Sequence, residues 1–166
     1  MLRHPSQEVP VTDGERELDR NWLFRNIVEC AGDAVLFADL GGRIRYWNAG
    51  AAAMFGWSAA EALGQSMDLI IPERQRGRHW HGWEQVMKSG HTRYGKDILA
   101  VPASRKDGAP LSIEFTIQLL RDDAGAVAGA SAIIRDVTVR WTRDRELRKR
   151  LAALEARLGE APTKGG

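Results

Sequence analysis

Apolar and polar residues alternate most regularly where Leu111, Ile113, Phe115, Ile117 and Leu119 interleave with Ser112, Glu114, Thr116 and Gln118. A period of two over that length predicts a strand with one buried face. Two further strands flank it: residues 98–103, where Pro102 marks an edge or a bulge, and residues 127–137. The turns between them are Lys106-Asp-Gly108 and Asp122-Asp-Ala-Gly125. Earlier in the chain, Val35-Leu-Phe-Ala38 and Ile44-Arg-Tyr-Trp47 read as a strand pair joined through Gly41-Gly42. Helical spacing appears in residues 13–30, where Leu18, Trp22, Leu23, Ile27 and Cys30 recur at three- and four-residue intervals, with Asp13 as N-cap and Gly32 as the stop. Asn48 caps a short helix over Ala49–Phe55. Ser58 and Glu61 form a capping box closed by Gly64. A longer helix runs from Pro72 to Gly90. The segments are a flexible arm (1–12), an N-terminal helix (13–31), a core domain (32–138), a C-terminal helix (139–159) and a disordered tail (160–166).

The 166 residues suit one domain with flanking helices. No apolar run approaches the roughly 18 residues that span a bilayer, and the N-terminus lacks a signal-type stretch. A single cysteine, Cys30, excludes an internal disulfide and suits a reducing compartment, so a cytoplasmic location is expected. The net charge of +2 is too small to argue for nucleic-acid binding.

Trp47-Asn48, Phe55-Gly-Trp-Ser58 with Glu61 and Gly64, Lys106-Asp-Gly108 and Arg135-Asp-Val-Thr138 occur in an order and spacing that resemble a PAS domain with its flanking signalling helices. The resemblance implies an α+β fold: a five-stranded antiparallel sheet with helices on one face, an N-terminal amphipathic helix and a C-terminal coiled-coil helix. It also implies a sensor or relay without catalytic residues. A small ligand or cofactor would sit between sheet and helices, near His79, Trp83, Val86, Met87, Lys96, Ile98, Phe115, Ile117, Ala130 and Ala132. Alternatively, the module is cofactor-free and serves assembly with a partner kinase or transcription regulator, its tryptophans closing the interior.

At about 100° per residue, His79 falls within about 40° of Trp83 and faces the sheet, while His81 faces water. Pro72-Glu-Arg-Gln-Arg-Gly-Arg-His79 resembles the helix of heme-binding oxygen-sensor PAS kinases, which implies His79 as the axial iron ligand. Lys96 stands near that subgroup's propionate-pairing arginine, although the segment between Gly90 and Gly95 is shorter here. The other reading is a histidine packed into the core. A covalent flavin photosensor is not expected, because no reactive-cysteine motif lies inside the domain. A non-covalent flavin needs only an apolar slot. The small residues from Ala128 to Ala132 leave room for a ring or for close packing at a helix or a dimer contact.

Leu147, Leu151, Leu154 and Leu158 repeat at four, three and four residues, the seam of a coiled coil about two heptads long. That predicts a homodimer. The arginines and lysine around the seam read as a solvated face rather than a DNA contact. Asp136 and Thr138 are expected to hold the junction between the last strand and this helix through local backbone hydrogen bonds. No phosphate-binding glycine loop, zinc spacing or nucleophile elbow is present. Too few residues follow the core for a kinase or a helix-turn-helix, so output is expected through a partner or the dimer itself.

Overall fold

The computed structural model describes residues 19–92 and 97–159, apart from the side chains of the last two. Five strands form one antiparallel sheet: β1 (Ala34–Asp39), β2 (Ile44–Trp47), β3 (Leu99–Ala103), β4 (Leu111–Arg121) and β5 (Val127–Asp136), in the order β2-β1-β5-β4-β3. The helices are α1 (Arg20–Glu29), α2 (Ala49–Phe55), α3 (Ala59–Ala62), α4 (Glu73–Ser89) and α5 (Thr138–Gly159), with a 3-10 turn at Met67–Leu69. The first two strands and the last three thus meet through β1 and β5, and the α+β architecture is the expected one.

Register sets which side chains share a face. Ala34, Leu36 and Ala38 pair with Ile134, Ala132 and Ala130 of β5. Those in turn face Phe115, Ile117 and Leu119 of β4, while Leu99, Val101 and Ala103 complete the row on β3. This inner face packs against Ala51 and Phe55 of α2, Ala62 of α3, Met67 and Ile70 to make the core. Two glycines permit the closest approaches. Gly42, at φ 71°, turns the β1–β2 hairpin, and a Cβ there would lie 2.3 Å from the Trp80 ring. Gly129, at φ 155°, would place a Cβ 2.1 Å from the carbonyl oxygen of Ala38, so glycine here lets β5 lie against β1.

Asn48 does more than cap α2. Only 1% exposed, its Oδ1 accepts from the amides of Val35 (2.9 Å) and Ala51 (2.8 Å). Its Nδ2 donates to the carbonyls of Val28 (2.9 Å) and Asp33 (3.1 Å). One side chain therefore joins the end of α1, the start of β1 and the start of α2. Tyr46 adds a second tie to α1 by donating to Glu29 at 2.7 Å. Burial, and secondarily the Glu29 carboxylate, pushes the Tyr46 phenol up to about 12.

Several local expectations are corrected. α1 is capped by Asp19, which accepts from the Asn21 amide, and ends at Cys30 with ordinary φ rather than at Gly32. Asp13 and Leu18 lie outside the described residues, as do residues 1–12 and 160–166. β3 starts at Leu99, leaving Ile98 65% exposed and outside the interior. α5 starts at Thr138, one residue earlier than expected. Pro102 sits in an edge strand, where its missing N–H costs no ladder bond on the open side. The capping box of Ser58 and Glu61 forms as read.

Candidate functional site

α4 is held at both ends and in the middle. Before it, the Ile70 carbonyl accepts from Ser104 at the end of β3 (2.9 Å). After it, the Gly90 carbonyl accepts from Nη2 of Arg121 at the end of β4 (2.8 Å). Between these points, Trp80 donates to Oδ1 of Asp68 (2.8 Å) and Trp83 donates to the Leu40 carbonyl in the β1–β2 turn (3.0 Å). Both indoles pack on the core edge with Phe115, Val101 and Ala132.

His79 lies between those indoles. Its ring stacks on Trp83 at 5.9 Å and 27° and meets Trp80 edge-on at 5.0 Å and 83°. Nδ1 is buried and has no hydrogen-bond partner among the described residues. Burial holds the imidazole below the usual histidine range, partly offset by the Asp68 carboxylate, so the ring is neutral at pH 7. Gly82, one turn on, leaves an open strip: a Cβ there would meet nothing within 4 Å. Val86 and Met87 are half-buried, as are Phe115, Ile117 and Ala132, and Ala130 is buried. His81 is exposed and contacts Gln85. Lys96 lies outside the described residues. Trp83, Phe115 and Ala132 pack against the buried core, and Ile98 does not join them.

A heme tests this arrangement sharply. An axial histidine needs an acceptor for its second ring nitrogen and clear space beyond the first. Nδ1 of His79 has no acceptor among the described residues, and the imidazole is clamped by two indoles that are themselves hydrogen-bonded. Two surface hollows, of about 420 and 500 Å³, do not include His79 among their walls. The residues therefore do not fit a heme as they stand. Among the described residues no group of three or more His, Cys, Asp and Glu could hold a metal ion.

The exit of β5 is the second candidate element. Thr138 Oγ1 accepts from the Ser112 amide at 2.9 Å, and the Ser112 carbonyl accepts from the Val137 amide at 2.9 Å. Asp136 Oδ1 accepts from the Thr138 amide at 2.8 Å. Arg140 of α5 pairs with Glu114 of β4. The first turn of α5 is thus clamped to β4, the strand that carries Phe115 and Ile117 on its inner face. Beyond it, Leu147, Leu151 and Leu154 are each more than half exposed, and the side chain of Leu158 lies outside the described residues. Sequence reasoning singled out Asp136 and Thr138, which do make hydrogen bonds here, and gave no sign of Ser112, Glu114 or Asp68. Their roles come from register and from the 3-10 turn, which no local pattern announces.

A family model described as PAS fold matches residues 28–141. An uncharacterised protein of Azorhizobium caulinodans is 32% identical over 136 residues, which cover 81% of this chain and 18% of that protein. The sensor protein FixL of Bradyrhizobium diazoefficiens is 26% identical over 145 residues, covering 82% of this chain and 28% of the relative. The chain therefore spans less than a third of either relative's length. Among solved structures, a PAS domain from Colwellia psychrerythraea superposes with a TM-score of 0.63 at 23% identity, over 72% of this chain and 98% of the other. An RNA-binding light-oxygen-voltage receptor does so with a TM-score of 0.66 at 21% identity, over 90% and 42%. At these identities the two structures attest the fold.

Proposed function

The chain belongs to the PAS fold family, and on that premise we propose that it relays a sensed state from α4 and the inner sheet face to α5. α5 pairs with the α5 of a second copy through Leu147, Leu151, Leu154 and Leu158, and the altered pairing acts on a partner histidine kinase or transcription regulator. The observation that carries this reading is the clamp at the exit: Ser112 holds both Val137 and Thr138. A shift of β4 under α4 is then felt at the first turn of α5. The input is a small ligand lodged beside Trp83 and Met87, where a hollow of about 500 Å³ opens, and it can shift the equilibrium only by binding the two states unequally. A second reading, a cofactor-free assembly module, is favoured by the way Trp80 and Trp83 fill the core edge. No helix among the described residues is long and apolar enough to cross a membrane.

Amide hydrogen exchange on the whole chain tests the relay. Trp83→Ala frees α4 from Leu40 and should raise exchange at Val137 and Thr138 as well as in α4. Adding Asp136→Ala should break that link, leaving the junction equally labile with or without the Trp83 change. If Trp83→Ala raises exchange in α4 alone, the relay is wrong.

A further inference from the structure

A hollow of about 420 Å³ opens between the start of α4, the end of β3 and the approach to β4. Its size is within the range of small-molecule sites. Pro72, Pro102 and Pro110 stand in its walls, and their fixed φ keeps those walls stiff. Ala103 and Leu111, both buried, supply an apolar floor. Arg74 and Arg105 line it and, among the described residues, no acidic one does. Arg74 has no ion-pair partner among the described residues. Arg105 meets Asp107 only through Nε, at 3.3 Å, leaving its terminal nitrogens to donate elsewhere. Ser104 and Ser112 add hydroxyls. Two guanidiniums over an apolar floor recognise a compact molecule with carboxylate or phosphate oxygens, which Arg binds in bidentate fashion.

The hollow touches the relay directly. Ser112, one of its lining residues, is the same residue whose amide and carbonyl hold Thr138 and Val137. The geometry points to a binding site for a small di-anionic metabolite between Arg74 and Arg105, separate from the hollow beside Trp83 and Met87, and its occupation tightens the clamp on α5. Its regulatory half rests on the relay proposed above; the binding half does not. Because the site is open, binding is salt-sensitive and of modest affinity.

Titration of the isotope-labelled whole chain with succinate and, separately, with inorganic phosphate, followed by amide NMR, tests both halves. Sodium chloride at matched ionic strength is the control. Saturable shifts at Arg74, Ser104, Arg105 and Ser112 are expected, extending to Val137 and Thr138. The better of the two probes tells a carboxylate from a phosphate ligand. In the combined variant Arg74→Gln, Arg105→Gln, binding should weaken about tenfold or more, while unchanged resonances elsewhere show that the fold is intact. Absence of saturable shifts, or equal binding by the variant, overturns the site. Saturable shifts that stop short of Val137 refute its link to the relay.

Discussion

Replacing Asn48 by alanine removes the side chain that joins α1, β1 and α2, and the cost can be worked from its partners. Two amides, Val35 and Ala51, lose their acceptor, and the carbonyls of Val28 and Asp33 lose a donor. Each buried group left without a partner costs roughly 1–3 kcal/mol, and the Ala51 bond is also the N-cap of α2, worth about 1 kcal/mol by itself. Carbonyls tolerate the loss better than amides, and water entering at the half-buried end of α1 relieves part of it. The expected total is about 3–4 kcal/mol, a large share of the roughly 5–15 kcal/mol that holds a domain of this kind. Thermal unfolding followed by circular dichroism should show a Tm lowered by about 10–15 °C. Asn48→Asp gives an internal control. It keeps the acceptor for both amides but sets a carboxylate against two carbonyls, so it should recover stability on acidification, as protonation restores a donor. A loss of about 1 kcal/mol or less for Asn48→Ala, or an Asn48→Asp variant indifferent to pH, would refute the assignment of Asn48 as the joint between the three elements.

Two further outcomes follow from α4. His79 has its folded-state pKa held below the unfolded value, so the unfolded chain takes up the proton first as pH falls. Its contribution is therefore intact above the ordinary histidine range, and declines as pH drops from there through the lowered folded pKa. Denaturant unfolding across that window should show this slope in the native chain and a flatter one in His79→Gln; equal slopes would contradict the buried neutral imidazole. Protein expressed with a heme precursor should show no Soret band that depends on His79. A strong band lost in His79→Ala would mean that the indole clamp opens around a macrocycle.

The elements that could be read from sequence are those whose pattern is local. β4 was plain because alternation from Leu111 to Leu119 leaves no helical alternative, and the capping box of Ser58 and Glu61 is a contact between near neighbours. The helical phase of α4 also put His79 and Trp83 on one side, since only the angle per residue is needed. What stayed hidden depends on distant parts of the chain. That Trp80 closes over Gly42, that Ser112 holds the exit helix, and that Asn48 reaches back to Val28 are facts of register and docking. The heme expectation came from a helix motif, and the motif says nothing about which neighbours crowd the imidazole. Ile98 failed for a simpler reason: the strand begins one residue later, outside the covered face.

The claim on which the account turns is that α5, leaving the sheet through the Ser112 clamp, pairs with a second copy. Sedimentation equilibrium of the whole chain, beside the variant Leu151→Glu with Leu154→Glu, tests it most directly. The account predicts a dimer for the native chain and a monomer for the variant, with the near-ultraviolet circular dichroism of the tryptophan-rich core unchanged. A native chain that stays monomeric, or a variant that dimerises as well as the native chain, would contradict it.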